Sequence, residues 1–196
     1  MKIAVVGAGI FGCTISTKLS KLHTVDLYES SSDIMTAASR TNQLRLHRGY
    51  HYPRSPDTVN SLLRSINFFK KEYTEAVIDK FEHFYCIAKE KSLVSPDQYI
   101  NFCNRFNLEY EIIQNFSYVN LEKIALTVKV EESLLDYHRI YDICKKRIKD
   151  SSMNVKLNTK FKKEDCKNYD IVINCTYANI NDILEEDSKK EYQFEV

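Results

Sequence analysis

The chain has 196 residues, and its 28 Lys and Arg nearly balance its 27 Asp and Glu, so the formal net charge is +1. This balance creates no overall field toward nucleic acid or anionic membranes, so neither is expected as a partner. The six cysteines form no CxxC pair, which argues against a metal site or a disulfide framework and fits a reducing cytoplasm. We expect no membrane span and no signal peptide, because apolar runs are short and the first strand begins almost at Met1.

The N-terminus is predicted to form a strand–helix–strand unit. The run KIAVVGAG is typical of a buried parallel strand, IFGCTISTKLSKL has helical apolar spacing, and TVDLYE is a second strand that ends on Glu29. Gly7, Gly9 and Gly12 therefore lie between strand and helix, and the acid follows 17 residues after Gly12. This order is the dinucleotide-binding fingerprint in its required context.

Each glycine of this fingerprint has a physical role. Gly7 permits a tight turn, Gly9 lets a pyrophosphate approach the backbone, and Gly12 lets the helix pack closely on the sheet. The helix N-terminus offers unpaired N–H groups and a partial positive charge. Glu29 can accept hydrogen bonds from two ribose hydroxyls, which disfavours the 2′-phosphate of NADP. The alternative, a glycine-rich turn in a nucleotide-free sheet, leaves the spacing to Glu29 unexplained.

A second motif, SRTNQLRLHRGYHYPRSPDT, covers residues 39–58 and is predicted to be a loop that leads into a helix. It concentrates residues suited to anionic oxygens and a flat aromatic ligand: Arg40, Arg45, Arg48, Arg54, His47, His51, Tyr50 and Tyr52. The alternative is a solvated basic loop. Gly49 favours a packed loop that another group approaches closely.

Together the two motifs resemble the FAD-dependent oxidoreductases of the D-amino-acid oxidase superfamily. Asn42, His47, Gly49 and Tyr52 are also similar to the N-x-x-x-x-H-x-G-x-x-Y character of the 2-hydroxyacid oxidases within it. The resemblance implies FAD as the cofactor, with residues 39–41 at its pyrophosphate and residues 42–49 beside its isoalloxazine. Gly49 would then let the loop lie against the flavin or its substrate. It implies these cofactor-binding residues: Gly7, Ala8, Gly9, Ile10, Phe11, Gly12, Glu29, Ser30, Ser39, Arg40, Thr41, Asn42, Cys175 and Thr176.

The same resemblance implies that His47, His51 and Tyr52 lie near the substrate and form the catalytic set. His47 would serve as a base or orient a substrate anion. For each histidine taken singly, a structural role with satisfied hydrogen bonds is the alternative.

The middle of the chain breaks the strand–helix–strand rhythm. Helices are predicted from the two Ser-Pro-Asp starts, and strands from FEHFYCIAK, YEII and KIALTVKVEES. The rhythm returns with a helix at 136–150 and the strands NVKLNT and YDIVINCTYANIN. The last segment resembles the D-x-V-x-N-A-T-G pattern of the same family, with Cys175 in place of alanine and Tyr177 in place of glycine.

We therefore predict an α/β fold: a Rossmann-like FAD/NAD(P)-binding domain (1–68 and 136–183) with an inserted α+β region of substrate-binding type (69–135). Residues 184–196 are interpreted as the start of an incomplete second excursion that begins as a strand. Members of the family continue further, to a second glycine-rich segment, so we expect a truncated or split flavoprotein. A complementing C-terminal chain or self-association would then cover the open edge.

The leading hypothesis is an FAD-dependent oxidoreductase that oxidises a C–H bond next to an amine or hydroxyl by hydride transfer to flavin. The arginine-rich loop favours a small anionic substrate. One alternative is a non-catalytic remnant that binds a nucleotide or a partner, and another is an NAD-dependent dehydrogenase, which Glu29 permits.

Overall fold

The computed structural model describes residues 1–192, which form ten strands and four α-helices. In chain order these are Lys2–Val6 (β1), Ile10–Leu19 (α1), Thr24–Tyr28 (β2), Arg45–Leu46 (β3), Pro56–Glu72 (α2), Val77–Ile78 (β4), His83–Ala88 (β5), Pro96–Arg105 (α3), Tyr110–Ile112 (β6), Ile124–Val130 (β7), Ser133–Leu135 (β8), Tyr137–Lys149 (α4), Asn154–Lys156 (β9) and Ile171–Asn174 (β10). Short 3₁₀ segments occupy Thr74–Ala76, Leu121–Lys123, Lys163–Asn168, Tyr177–Ile183 and Glu186–Ser188. Within residues 1–192, no helix is both long and apolar enough to cross a membrane.

The chain divides into two compact units. Unit 1 combines Met1–Gln43 with the chain from Tyr137 onward, and unit 2 is Leu44–Asp136. The first boundary therefore lies at residues 43/44 and not at 68/69 as predicted. The reason is that β3 pairs with β8, and Val59 of α2 lies in the same buried cluster as Tyr99 of α3 and Val128 of β7.

Unit 1 is built on a four-stranded parallel sheet with the order β10-β1-β2-β9. Val6 at the end of β1 is level with Asn174 on one side and with Tyr28 on the other. The carboxyl ends of these strands consequently meet at one edge, which is where ligands bind in such sheets. The strand–helix–strand order and the parallel pairing confirm the predicted Rossmann-like α/β class.

A polar network lies on the face of this sheet. Asp26 of β2 is buried, and it accepts hydrogen bonds from Lys156 Nζ at 2.9 Å and from the Tyr169 hydroxyl at 2.5 Å. Burial raises the pKa of Asp26, but hydrogen bonds from Tyr169 and Lys156 outweigh it, so the pKa is lowered. The buried charge is thus paired and joins β2 to β9.

Unit 2 contains two antiparallel three-stranded sheets, β3-β8-β4 and β5-β7-β6, together with α2 and α3. Helix α3 begins at Pro96, as its Ser-Pro-Asp start predicts, and its N-cap residue Ser95 forms a capping box with Gln98. Gly49 has a φ of +114°, and a Cβ there would lie 2.9 Å from Val59 Cγ1. The close approach at Gly49 is therefore to the helix α2, a packing role rather than the contact with flavin or substrate that we expected.

The end of the described chain differs from the predicted strand. Residues 184–192 contain the 3₁₀ segment Glu186–Ser188 and no strand. The Tyr192 hydroxyl donates to the carbonyl of Ala178 at 2.5 Å. Residues 193–196, where the predicted second excursion would continue, lie outside the described residues.

Candidate functional site

A cavity of about 540 Å³ lies in unit 1 at the carboxyl end of β1 and β2. Its walls come from the glycine turn after β1, from residues 28–31 at the end of β2, and from the segment 35–39. Residues 159–161, which follow β9, and side chains within 175–183, which follow β10, complete it. The cavity thus occupies the position that an open parallel sheet offers to a ligand.

The glycine turn is closed too tightly for side chains at two of its positions. Gly7 has a φ of +95°, and a Cβ on it would lie 2.8 Å from the carbonyl oxygen of Cys175. A Cβ on Gly12 would lie 1.8 Å from the carbonyl oxygen of Gly7. These distances confirm that Gly7 makes the turn and that Gly12 allows α1 to pack closely against it.

The N-terminus of α1 faces the cavity, and no side chain of its cap or first turn neutralises its partial positive charge. Gly9 is the N-cap residue and makes no side-chain capping bond, and the first turn holds no acidic residue. The Ile10 N–H donates to Ser39 Oγ at 3.0 Å, and a Cβ on Gly9 would lie 3.1 Å from that oxygen. Since the first turn of a helix lacks intrahelical acceptors for its N–H groups, Phe11, which lines the cavity, can offer its N–H to an anion here.

Glu29 organises the other end of the site. Its Oε2 accepts the N–H of Ala8 at 2.8 Å, and its Oε1 accepts the N–H of Ser31 at 2.9 Å. The Met35 N–H donates to the carbonyl of Ala8 at 2.9 Å, so the glycine turn is held from both sides. A carboxylate has about four acceptor positions, and Glu29 is only half-buried, so it can still accept a hydroxyl from a ligand.

Most of the predicted cofactor-binding residues line this cavity. They are Gly7, Gly9, Ile10, Phe11, Glu29, Ser30, Ser39, Asn42, Cys175 and Thr176. Ala8, Gly12, Arg40 and Thr41 do not line it. Ala8 and Gly12 are buried behind it and hold the turn, whereas Arg40 and Thr41 are exposed.

Sequence reasoning missed several cavity residues. These include Tyr28, Thr159, Phe161, Tyr177 and Asp182. The signal that could have located Thr159 and Phe161 is topological, because residues just after a parallel strand meet at the ligand-binding edge. Tyr177 has a φ of +54°, so it keeps the left-handed backbone that the glycine of the D-x-V-x-N-A-T-G pattern would adopt freely.

The three predicted catalytic residues lie together in unit 2. The ring centroids of His47 and His51 are 5.5 Å apart, and those of His51 and Tyr52 are 5.2 Å apart. Burial lowers the pKa of His51, and the neighbouring His47 and Arg45 lower it further, so His51 is neutral near pH 7. Sequence reasoning missed the acidic residue of this cluster, Glu132, whose side chain is fully buried.

The residues around the cavity fit the adenosine diphosphate part of a dinucleotide. The N-terminus of α1, with no side chain on its N-cap residue Gly9 and no acidic residue in its first turn, suits a pyrophosphate. The carboxylate of Glu29 suits ribose hydroxyls and repels a 2′-phosphate. FAD and NAD share this part, so the donor set alone does not separate them.

Comparison with known proteins finds one matching family model and several similar proteins. Residues 5–70 match the family model of an NAD(P)-binding Rossmann-like domain. A curated relative, the FAD-dependent monooxygenase kojA of Aspergillus flavus, is 32% identical over 99 residues. That match covers 50% of this chain and 23% of kojA, so the chain spans about a quarter of the length of this relative.

Two solved enzyme structures share the fold. L-proline dehydrogenase from P. horikoshii superposes with a TM-score of 0.68 at 16% identity, over 92% of this chain and 54% of that one. FAD-bound L-α-glycerophosphate oxidase from Mycoplasma pneumoniae gives 0.66 at 17% identity, over 81% and 45%. The predicted likeness to flavoproteins of the D-amino-acid oxidase type is therefore confirmed for the fold.

Proposed function

We propose that the chain binds FAD in the cavity of unit 1 and is an FAD-dependent oxidoreductase, or the N-terminal part of one. The observation that carries this proposal is the joint arrangement of the glycine turn, the open N-terminus of α1 and Glu29 around one cavity. The names of the curated relative and of the solved glycerophosphate oxidase support FAD over other dinucleotides.

The proposed reaction is oxidation of a carbon that bears an amine or a hydroxyl. A bound flavin supplies the acceptor for the hydride that leaves this carbon. The proton that leaves the nitrogen or oxygen needs a base, and we assign that role to His47, with His51 and Tyr52 completing the catalytic set. Imidazole and phenol side chains suit proton transfer and hydrogen bonding to the substrate.

We still propose a small anionic substrate, although the structure leaves fewer arginine charges to bind it than the sequence suggested. Arg45 is bound to Glu132 at 2.6 Å and Arg48 to Glu131 at 2.8 Å, so neither offers uncompensated charge. Arg45 Nε, however, is buried without a hydrogen-bond partner in the described part of the chain. An anion would therefore be recognised by such remaining N–H donors rather than by net charge.

The test is a visible absorption spectrum of the purified chain before and after addition of FAD, with gel filtration to find retained flavin. Glu29→Gln should weaken FAD binding about 10- to 100-fold, because a hydrogen bond to a charged acceptor contributes about 1.5–3 kcal/mol. Glu164→Gln, which changes an exposed glutamate of the same unit, is the matched control and should bind as the wild type does. Absence of retained flavin at high FAD would overturn the proposal.

A second candidate is an NAD-dependent dehydrogenase, favoured by the match of residues 5–70 to an NAD(P)-binding family. Competition separates the two candidates, since excess NAD should leave a bound flavin in place if the cavity is built for FAD. Displacement of FAD by NAD would favour the dehydrogenase. Retained FAD without turnover of any alcohol or amine would favour the non-catalytic remnant.

The cytoplasmic location and self-association remain predictions.

A further inference from the structure

Glu132 is the buried charge on which the polar cluster of unit 2 is built. Its side chain is 0% exposed, and it follows the end of β7. Oε2 accepts Arg45 Nη2 at 2.6 Å and the Tyr85 hydroxyl at 3.0 Å, and Oε1 accepts the backbone N–H of Arg48 at 3.0 Å. A fully buried carboxylate is costly unless it is paired, and these three donors compensate it.

The same carboxylate lies beside one nitrogen of His47. Nδ1 of His47 is buried without a hydrogen-bond partner in the described residues, and Oε1 of Glu132 is 3.5 Å from it. A lone pair on Nδ1 would point at a negative oxygen and be repelled, whereas an N–H there is attracted. The neutral ring is therefore stabilised with its proton on Nδ1, which leaves the lone pair on Nε2.

We propose that Glu132 is a positioning residue that fixes the tautomer of His47, so that Nε2 is the proton acceptor of the catalytic set. The proposal rests on the function assigned to His47 above. It adds two details to that function. Glu132 is the group that makes His47 able to act as a base, and Nε2 is the atom that accepts the proton. Glu132 acts through His47 and Arg45, and it needs no contact with a substrate.

Among the described residues, the rings that contact His47 are those of His51 and Tyr52, and the neighbouring Glu131 carboxylate is paired with Arg48. His51 and Tyr52 approach from the same loop as His47, and His83 and Tyr85 come from β5. Burial lowers the pKa of His83, and Arg45 lowers it further, so His83 is neutral. Burial together with Glu132 raises the pKa of Tyr85, so its hydroxyl stays protonated and donates. Glu132 is accordingly the charge that sets the orientation of the His47 dipole.

The test measures the tautomer directly by ¹⁵N NMR of the imidazole side chains in the full chain at mildly alkaline pH. The five histidines are few enough to assign with single His→Gln variants. We expect the wild type to show His47 protonated on Nδ1 alone, and Glu132→Gln to shift it toward a mixture of tautomers. Glu131→Gln is the matched control. It removes the same charge at the neighbouring position, where the Glu131 side chain is 65% exposed.

The variant Glu132→Gln leaves Arg45 without its counter-charge, so Arg45→Gln/Glu132→Gln serves as a second, charge-compensated background. The His47 tautomer should be mixed there too. A wild-type His47 protonated on Nε2, or an unchanged spectrum in both variants, would overturn the proposal. Because the measurement needs neither flavin nor substrate, its failure is distinguishable from failure of FAD binding, which the Glu29 titration reports.

Discussion

Gly12→Ala is expected to destabilise the protein, although the same change in an open helix would stabilise it. In a helix interior, alanine is favoured over glycine by about 1 kcal/mol. At this position a Cβ would lie 1.8 Å from the carbonyl oxygen of Gly7, whereas real Cβ atoms essentially never approach within 3.0 Å. Helix α1 would have to move away from the turn by the difference, 1.2 Å, because a backbone oxygen cannot rotate aside.

Overpacking of a well-packed site typically costs about 1–3 kcal/mol, and a backbone clash lies at or beyond the upper end. We expect a net loss of about 2–4 kcal/mol, which lowers Tm by roughly 5–15 °C in a protein of this size. Thermal and urea unfolding followed by circular dichroism measure it. Gly9→Ala is the control: the nearest atom is the movable Ser39 Oγ at 3.1 Å, so the loss should stay within about 1 kcal/mol. A Gly12→Ala variant as stable as the wild type would refute the reasoning.

Three further predictions follow from the backbone and from buried charge. Gly49→Ala should cost about 1–3 kcal/mol, and a double-mutant cycle with Val59→Ala should recover only part of the loss, because a φ of +114° strains alanine even when space is made. The lowered pKa of Asp26 means that its stabilisation is complete above its ordinary value of 3.8 and is lost as pH falls through the folded-state pKa; Asp26→Asn should flatten this part of an acid-unfolding curve, and an unchanged curve would contradict the pairing. Tyr177→Gly should leave Tm unchanged or raise stability by up to about 1 kcal/mol, because its φ is +54°; a clear loss in a thermal melt would argue against strain there.

The nucleotide cavity could be predicted because its signals are local. The strand, the three glycines and the helix follow one another within twenty residues, and Glu29 directly follows the next strand. Each of these features has its own pattern, and their order fixes the topology. The residues that follow β9 were missed because nothing in Thr159 or Phe161 itself marks a ligand site, and only the strand order brings them to the cavity.

The polar cluster of unit 2 could not be predicted in full from such local patterns. Glu131 and Glu132 are adjacent in the sequence, yet one side chain is 65% exposed and the other 0%. What separates them is the connection from β7 to β8, which turns Glu132 toward Arg45, 87 positions earlier in the chain. The same long-range pairing of β3 with β8 places the boundary between the units at residues 43/44 and not at the predicted position. No glycine, proline or change in composition marks residues 43/44 in the sequence.

The order of strands in unit 1 has a consequence for the synthesis of the protein. Strand β1 lies between β2 and β10, but β10 begins only at Ile171, 143 residues after the end of β2. At about 5–20 residues per second, a ribosome needs roughly 7–30 s to make that stretch. Throughout this interval one edge of the first strand, an apolar run with high strand propensity, has no partner. Nascent chains should therefore depend on chaperones at this stage, and slowed translation within residues 29–170 should increase aggregation.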